Sequence, residues 1–315
     1  MSSFNHYRGK HAASSSWAVS STASSSYRPK HAKKDRRALR IRLLLLCLVL
    51  FLLLIPFLIP LWPQTETVHL SAEDLPKDIG KLRLVFVTDI HSGFFFSDSR
   101  VNALINRINN LKPDIVLFGG DYATDTLSAI RFFKKIPDIH ARYTSLGVLG
   151  ETDRKGTDSD LLLLTDAMRE AGVTPLVNDM LTLRIKNSSI DVIGLDYETM
   201  GTSTIPNLVS KVSNDHFVIL MAHNPTVIPE AQSASDKSGH LGWFDLGLFG
   251  HTHGGQIAGL SGVLDIAPEV DSKYLGGWIQ ENRIDMLISN GVGTSVIPAR
   301  LFCPPQIHCI EVETR

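Results

Sequence analysis

Cysteine is scarce, with three in 315 residues, too few for the disulfide framework of a small secreted domain. Cys303 and Cys309 flank Pro304-Pro305. An extended path would separate them by roughly 20 Å at about 3.3 Å per residue, beyond disulfide reach. With Cys47 inside an apolar run, all three read as reduced and structural. Positive charge is short over most of the chain. Residues 63–315 carry 21 Lys/Arg against 31 Asp/Glu, a net charge of −10. Nucleic-acid binding needs a basic footprint, so the acidic balance argues against that partner class. Phosphate chemistry stays open where bound metal ions supply the positive charge. Between Leu43 and Trp62 no residue is charged at all. Nor does a small-x-small cleavage site follow, only Pro63-Gln64-Thr65-Glu66, which argues against a removed signal peptide.

What is present divides the chain in three. Residues 1–42 are Ser-rich and hold ten of the basic residues against one acid, Asp35. Such a segment buries too little apolar surface to offset ordering entropy and is expected to be a disordered cytoplasmic tail. Residues 43–62 are twenty consecutive apolar positions, the length of a transmembrane anchor. Pro56 and Pro60 fall in its outer half, which a membrane helix tolerates better than a soluble one. The basic block then stays in the cytoplasm and the rest lies outside, at the cell membrane. Residues 63–315 remain as one α/β domain.

The domain opens β-α-β. Leu82 to Thr88 is a buried strand by its run of branched apolar residues. Val101, Leu104, Ile105, Ile108 and Leu111 follow at helical spacing behind Ser97 or Asp98, with Pro113 as the stop. Ile115–Phe118 is the second strand and Thr144 to Leu149 the third. Leu127 to Lys135 reads as a helix, and another opens at Asp158 and closes at Gly172. Strands at 181–185, 190–195, 218–221, 246–249, 285–289 and 307–312 outnumber helices, which suggests two sheets.

Each strong apolar strand ends in a potential metal ligand. The first delivers Asp89 and His91, the second Asp121 after Gly119-Gly120, the third Glu151 and Asp153. Later ones deliver His223, then His251 and His253 in Phe249-Gly250-His251-Thr252-His253-Gly254-Gly255-Gln256. One Asp or His at a strand end is an ordinary cap or loop residue. Five strand ends in succession point to one edge of a sheet where the ligands converge. Carboxylates and imidazoles without thiolates suit Mn, Fe or Zn.

The order Asp89-Ile90-His91, Gly120-Asp121, Gly150-Glu151-Thr152-Asp153, His223 and Gly250-His251-Thr252-His253 resembles the calcineurin-like metallophosphoesterases over most of residues 80–315. Gly293-Thr294-Ser295, Arg300 and Cys303-Pro304-Pro305 resemble the membrane-anchored bacterial branch of that family. The resemblance implies a four-layer αββα sandwich of two mixed sheets and two divalent metal ions. It implies that Asp89, His91 and His253 hold one ion and that Asp121 bridges. His223, His251 and Glu151 would hold the other, Glu151 in place of the family's asparagine. Thr152 stands where the family has a histidine that assists the leaving group. A threonine cannot be a general acid near neutral pH, a loss of roughly 10²–10⁴-fold, which Asp153 or His240 could offset. Asp121, Asp153 and Thr152 are thus the candidate catalytic positions, and Tyr122, Asn224 and Gln256 the candidate substrate contacts. The implied activity is hydrolysis of a phosphate ester or pyrophosphate by a two-metal-activated water. A lipid or envelope precursor such as UDP-diacylglucosamine is one such substrate. The alternative is a non-catalytic metal-binding surface domain, its site degenerate at Glu151-Thr152.

Overall fold

The computed structural model describes residues 31–197, 204–213, 215–257 and 267–315. Of the tail expected to lack order, residues 1–30 lie outside the described residues, and His31 to Arg42 departs from that expectation by forming the first turns of a helix continuous with the apolar run. The chain divides between Phe51 and Leu52 into two compact units. Helix α1 (His31–Leu58) carries the apolar run. Its stretch Arg36–Leu61 is long and apolar enough to cross a membrane. Pro60 has no N–H to give the Pro56 carbonyl four residues back, so regular helix ends at Leu58 and a single 3₁₀ turn, Ile59–Leu61, follows.

The second unit contains two six-stranded mixed sheets. The first orders β1 (Gln64–Ala72), β12 (Gln306–Thr314), β2 (Lys81–Val87), β3 (Ile115–Phe118), β4 (Thr144–Gly147) and β5 (Val173–Pro175) from edge to edge. β2 to β5 are parallel, and β12 runs antiparallel to β2. The second orders β10 (Gly277–Glu281), β11 (Ile284–Ile288), β9 (Leu246–Phe249), β8 (Phe217–Ala222), β7 (Ser188–Leu195) and β6 (Asp179–Ile185). Its four central strands are parallel and its two edge strands antiparallel to their neighbours.

Side-chain alternation along the strands builds the layers. Leu84, Phe86 and Leu117 point between the sheets and meet Val192, Ile219, Met221 and Leu248. Val85, Val87, Val116 and Phe118 point the other way, onto the buried stripes of α2 (Asp98–Asn110), α3 (Thr126–Phe133) and α4 (Asp158–Glu170). The outer face of the second sheet, Ile193, Leu220 and Phe249 among its residues, is covered by α5 (Thr204–Val209) and α6 (Ile228–Ser233). The αββα sandwich expected from the sequence is therefore present. Helix signals also match their roles. Thr157 and Asp160 form a reciprocal capping box at α4, and Gly172 takes φ +78° just past its end.

Candidate metal centre

β2 and β3 end side by side, and so do β8 and β9, so loops from both sheets meet at the carboxyl ends of their strands. Three of those loops, after β2, β3 and β9, turn sharply through left-handed residues. Asp89 (φ 54°), His91 (45°), Asp121 (54°), His251 (71°) and His253 (51°) all lie in a region that non-glycine residues avoid. Backbone hydrogen bonds hold them there: Asp89 N–H to the Gly120 carbonyl (3.0 Å), His91 N–H to that of Asp121 (3.0 Å), and Gly250 N–H to that of His223 (2.9 Å). Strain of this kind costs of order 1–3 kcal/mol per residue and collects at functional sites.

The turns bring two buried carboxylates among three imidazoles. Asp121 Oδ2 lies 3.4 Å from His91 Nε2 and 3.5 Å from His223 Nε2. Asp89 Oδ1 lies 3.4 Å from His253 Nε2 and 3.8 Å from His223 Nε2. His91 and His253 stack with their Nε2 atoms 3.1 Å apart. Two groups able to share an ion result, Asp89–His91–His253 and Asp89–Asp121–His223. His223 gives Nδ1–H to the Gly119 carbonyl at 2.7 Å. That leaves Nε2 facing the carboxylates, buried and without a hydrogen-bond partner. An orphaned buried nitrogen is costly, and a cation between these groups would satisfy it. The residues fit a metal.

Surrounding groups position the carboxylates. Asp89 accepts from Thr88 Oγ1 (2.9 Å) and from His251 N–H. Asp121 Oδ1 accepts Thr152 N–H at 2.8 Å. Burial works against the Asp121 charge, but His223, His91 and the Thr152 amide outweigh it and hold its pKa well below the usual carboxylate range. Burial, with the charges of His91 and Arg300, pushes His253 well below an ordinary histidine. Asp89 and Asp121 are also pressed against glycines. A Cβ on Gly250 would meet Asp89 Oδ2 at 2.6 Å, and one on Gly150 would meet Asp121 Oδ1 at 2.2 Å.

A family model, the calcineurin-like phosphoesterases, matches residues 82–255, from the first ligand-bearing strand through the last histidine turn. This chain belongs to that family. Among its relatives is the metallophosphoesterase YkuE of Bacillus subtilis, 26% identical over 255 residues, which cover 80% of this chain and 86% of YkuE. Phosphodiesterase YaeI of Escherichia coli is 27% identical over 73% of this chain and 82% of its own. A transmembrane protein with a metallophosphoesterase domain from Bos taurus is 24% identical over 76% of this chain and 54% of its own. A calcineurin-like phosphoesterase domain implies divalent metals, and the buried Asp/His groups are able to bind them.

Of the seven residues expected to hold metal, Asp89, His91, Asp121, His223 and His253 come together. His251 is adjacent, its ring centroid 5.2 Å from that of His223, but its Nε2 is taken by Glu269 Oε1 at 2.6 Å. Only Nδ1 is left for an ion. Glu151 joins neither group; it begins the 3₁₀ turn Thr152–Arg154 with its side chain exposed.

The residues expected to act on substrate are mostly struts. Thr152 spends its hydroxyl on the Ala123 carbonyl (2.7 Å). Asp153 is fully buried and accepts from the backbone of Asp121 (2.8 Å), Tyr122 (3.2 Å) and Gly150 (2.9 Å). Burial, then the Asp121 charge, pushes it up to about 8. It clamps the Asp121 loop and faces no open space. His240, the other candidate acid, is on an exposed turn beside Asp236. Tyr122 packs among Phe118, Phe132 and Phe133 with its hydroxyl on the Val148 carbonyl, so it belongs to the helix-side core. Gln256 is buried and stitches Ser295 and Ile297. Asn224 alone among these three reaches open space. It gives its amide to Glu269 (3.2 Å) and, with Tyr197, lines a cavity of about 560 Å³. Glu269 and Tyr197, whose ring lies 6.0 Å from His251, escaped the sequence reading because neither follows a strand with a ligand pattern.

Proposed function

We propose that this chain is a membrane-anchored phosphoesterase that uses two divalent ions, Mn, Fe or Zn, to hydrolyse a phosphate ester or pyrophosphate. The observation that carries this reading is the orphaned His223 Nε2 facing Asp89 and Asp121, with His91 and His253 opposite. Asp89, His91 and His253 would hold one ion, and His223 with the Nδ1 of His251 the other, Asp121 lying between them. Bound ions of this kind polarise the phosphoryl group and acidify a water.

The protein's own contribution is placement. Thr152 N–H and the Gly150 surface fix the orientation of Asp121. The Gly119 carbonyl fixes the His223 ring with Nε2 toward the carboxylates, so that loss of the Nε2 proton would free a lone pair for an ion there. Glu269 turns His251, and the cavity beside it, lined by Tyr197, Asn224 and Lys273, gives the substrate's remaining body a place to lie. With the Thr152 hydroxyl committed to the Ala123 carbonyl, a good leaving group such as a pyrophosphate is favoured over an alkoxide. The apolar stretch Arg36–Leu61 and a transmembrane relative support anchoring, with the basic block cytoplasmic. An anchored site favours a lipid or envelope precursor such as UDP-diacylglucosamine.

The decisive experiment is hydrolysis of bis-p-nitrophenyl phosphate by the full chain with added Mn²⁺, beside Asp121→Ala. Metal-dependent turnover lost in the variant is the expected result. No turnover above the variant, in a folded protein that binds metal, would favour a second reading. In that reading this is a non-catalytic metal-binding domain, as the tied-off Thr152 hydroxyl and the outlying Glu151 suggest.

A further inference from the structure

We propose that the metal-centre face of this protein rests on the bilayer that its apolar helix enters, with two apolar loops dipping into the lipid surface. The inference builds on the anchored reading above and says where an amphiphilic phosphoester would reach the site.

Two loops border the metal centre, and both are tied to the end of the helix. The first follows His91 directly and presents Phe94 and Phe95, 93% and 50% exposed, packed edge to face. Arg100 gives its guanidinium to the Phe95 carbonyl and to the Pro60 carbonyl, and lies over the Phe96 ring. The second loop lies against Asp89 through Gly293 N–H (2.7 Å) and meets His253 through Arg300. It presents Val296 and Phe302, each 82% exposed. Both residues are left-handed, at φ 57° and 63°. That conformation is an outlier for a β-branched valine.

The level of this second loop follows from one hydrogen bond. The Pro56 carbonyl has lost its helical partner to Pro60, and Arg300 N–H supplies a replacement at 2.8 Å. Pro56 precedes Leu61 by five residues, two in the α-helix and three in the 3₁₀ turn, about 9 Å at rises of about 1.5 and 2.0 Å per residue. If the apolar run spans the hydrocarbon core up to Trp62, the Arg300 backbone lies below the level of the helix end. Shallow interfacial insertion reaches about 5–10 Å. The exposed Leu61 and Trp62 suit the same boundary. Lipid, rather than a protein partner, is the occupant because both loops are hydrogen-bonded to the last residues of the apolar run, at Pro56 and Pro60. In hydrocarbon an orphan Pro56 carbonyl would be costly, and the loop removes that cost.

The test uses the full chain with Cys47, Cys303 and Cys309 replaced by alanine, reconstituted in phosphatidylcholine–phosphatidylglycerol vesicles. A nitrobenzoxadiazole label is placed by Phe94→Cys, by Val296→Cys or by Phe302→Cys. The reference is Asn187→Cys, an exposed position on the turn at the amino end of β7, away from the metal-centre edge. Flotation reports anchoring separately. The expected result is flotation of every chain. Labels at 94, 296 and 302 should show blue-shifted emission and roughly twofold or stronger quenching by doxyl lipid, with the label at 187 in water. Chains that float with all loop labels in water would overturn the docking inference and leave the anchor standing. Failure to float would overturn the anchor and the docking with it. Equal lipid exposure at 187 would mean non-specific adsorption and would also overturn it.

Discussion

Replacing Gly150 by alanine tests whether the Asp121 carboxylate is held where a metal needs it. The added Cβ would fall 2.2 Å from Asp121 Oδ1, 2.5 Å from its amide nitrogen and 2.9 Å from Cγ. Favourable carbon contacts begin near 3.5 Å, so something must move by about 1 Å. The carboxylate cannot simply rotate away, because Thr152 N–H holds Oδ1 at 2.8 Å and Asp153 holds the Asp121 amide at 2.8 Å. A shift of about 1 Å in a reacting constellation costs on the order of 10²-fold. Overpacking should cost a further 1–3 kcal/mol or so in stability. Gly172→Ala separates the two effects. It imposes backbone strain at φ +78° but meets nothing within 4 Å, far from any ligand. Calorimetric titration with Mn²⁺, turnover of bis-p-nitrophenyl phosphate and thermal unfolding should be run on both. Gly150→Ala should lose metal affinity and turnover, and Gly172→Ala only stability. If Gly150→Ala kept both within roughly threefold of wild type, against the 10²-fold expected, the cradle would not be positioning a ligand.

Burial opposes a charge on His223, yet Asp121 and Asp89 outweigh it and raise its pKa to about 10 in the metal-free protein. The stability from that charge is present below the unfolded value of about 6.5 and fades as pH rises through about 10. A metal must displace this proton, so Mn²⁺ affinity should climb about tenfold per pH unit above neutrality; a flat profile would refute the assignment. Thr152→Ala removes a buried hydroxyl bonded to Ala123 but keeps the N–H on Asp121. It should cost about 1 kcal/mol and leave turnover nearly unchanged, and a large loss would restore a chemical role to the hydroxyl. Glu269→Gln weakens the 2.6 Å contact that orients His251, for a fall of roughly 10–100-fold in metal affinity by titration. Chelation should lower the melting temperature by about 5–10 °C when metal had been present at 100 times its Kd, and an unchanged melting curve would argue against a resident ion.

The central strands were legible because a parallel strand between helices and a second sheet must be apolar on both faces, as Ile115–Phe118 and Phe217–Ala222 are. The rims were not. β1 reads Gln64-Thr65-Glu66-Thr67-Val68-His69 and is a strand because β12 pairs with it in parallel along its whole length. β10, an edge strand of the other sheet, reads Gly277-Trp278-Ile279-Gln280-Glu281 and is likewise mixed in polarity. Five ligands could be found because chemistry demands Asp and His at strand ends. Roles carried by backbone or by distant contacts left no such mark. Thr152 acts through its N–H, Gly150 through having no side chain, and Glu269 through a loop that packing alone brings to His251. Tyr122 was misplaced for a related reason. The left-handed turn at Asp121 sends the next side chain to the helix face, and sequence adjacency to a ligand does not record that.

The left-handed backbone of the ligand residues has a consequence for anyone who would redesign this protein. At Asp89, His91, Asp121, His251 and His253, glycine would adopt the same turn without steric strain. A search for thermostability guided by backbone energy would propose glycine at these positions early, and each substitution would remove a candidate ligand. Robustness and chemistry compete here for the same residues. Gains in stability are better sought in the amino-end turns, where Lys186 and Asn282 are also left-handed and hold no metal.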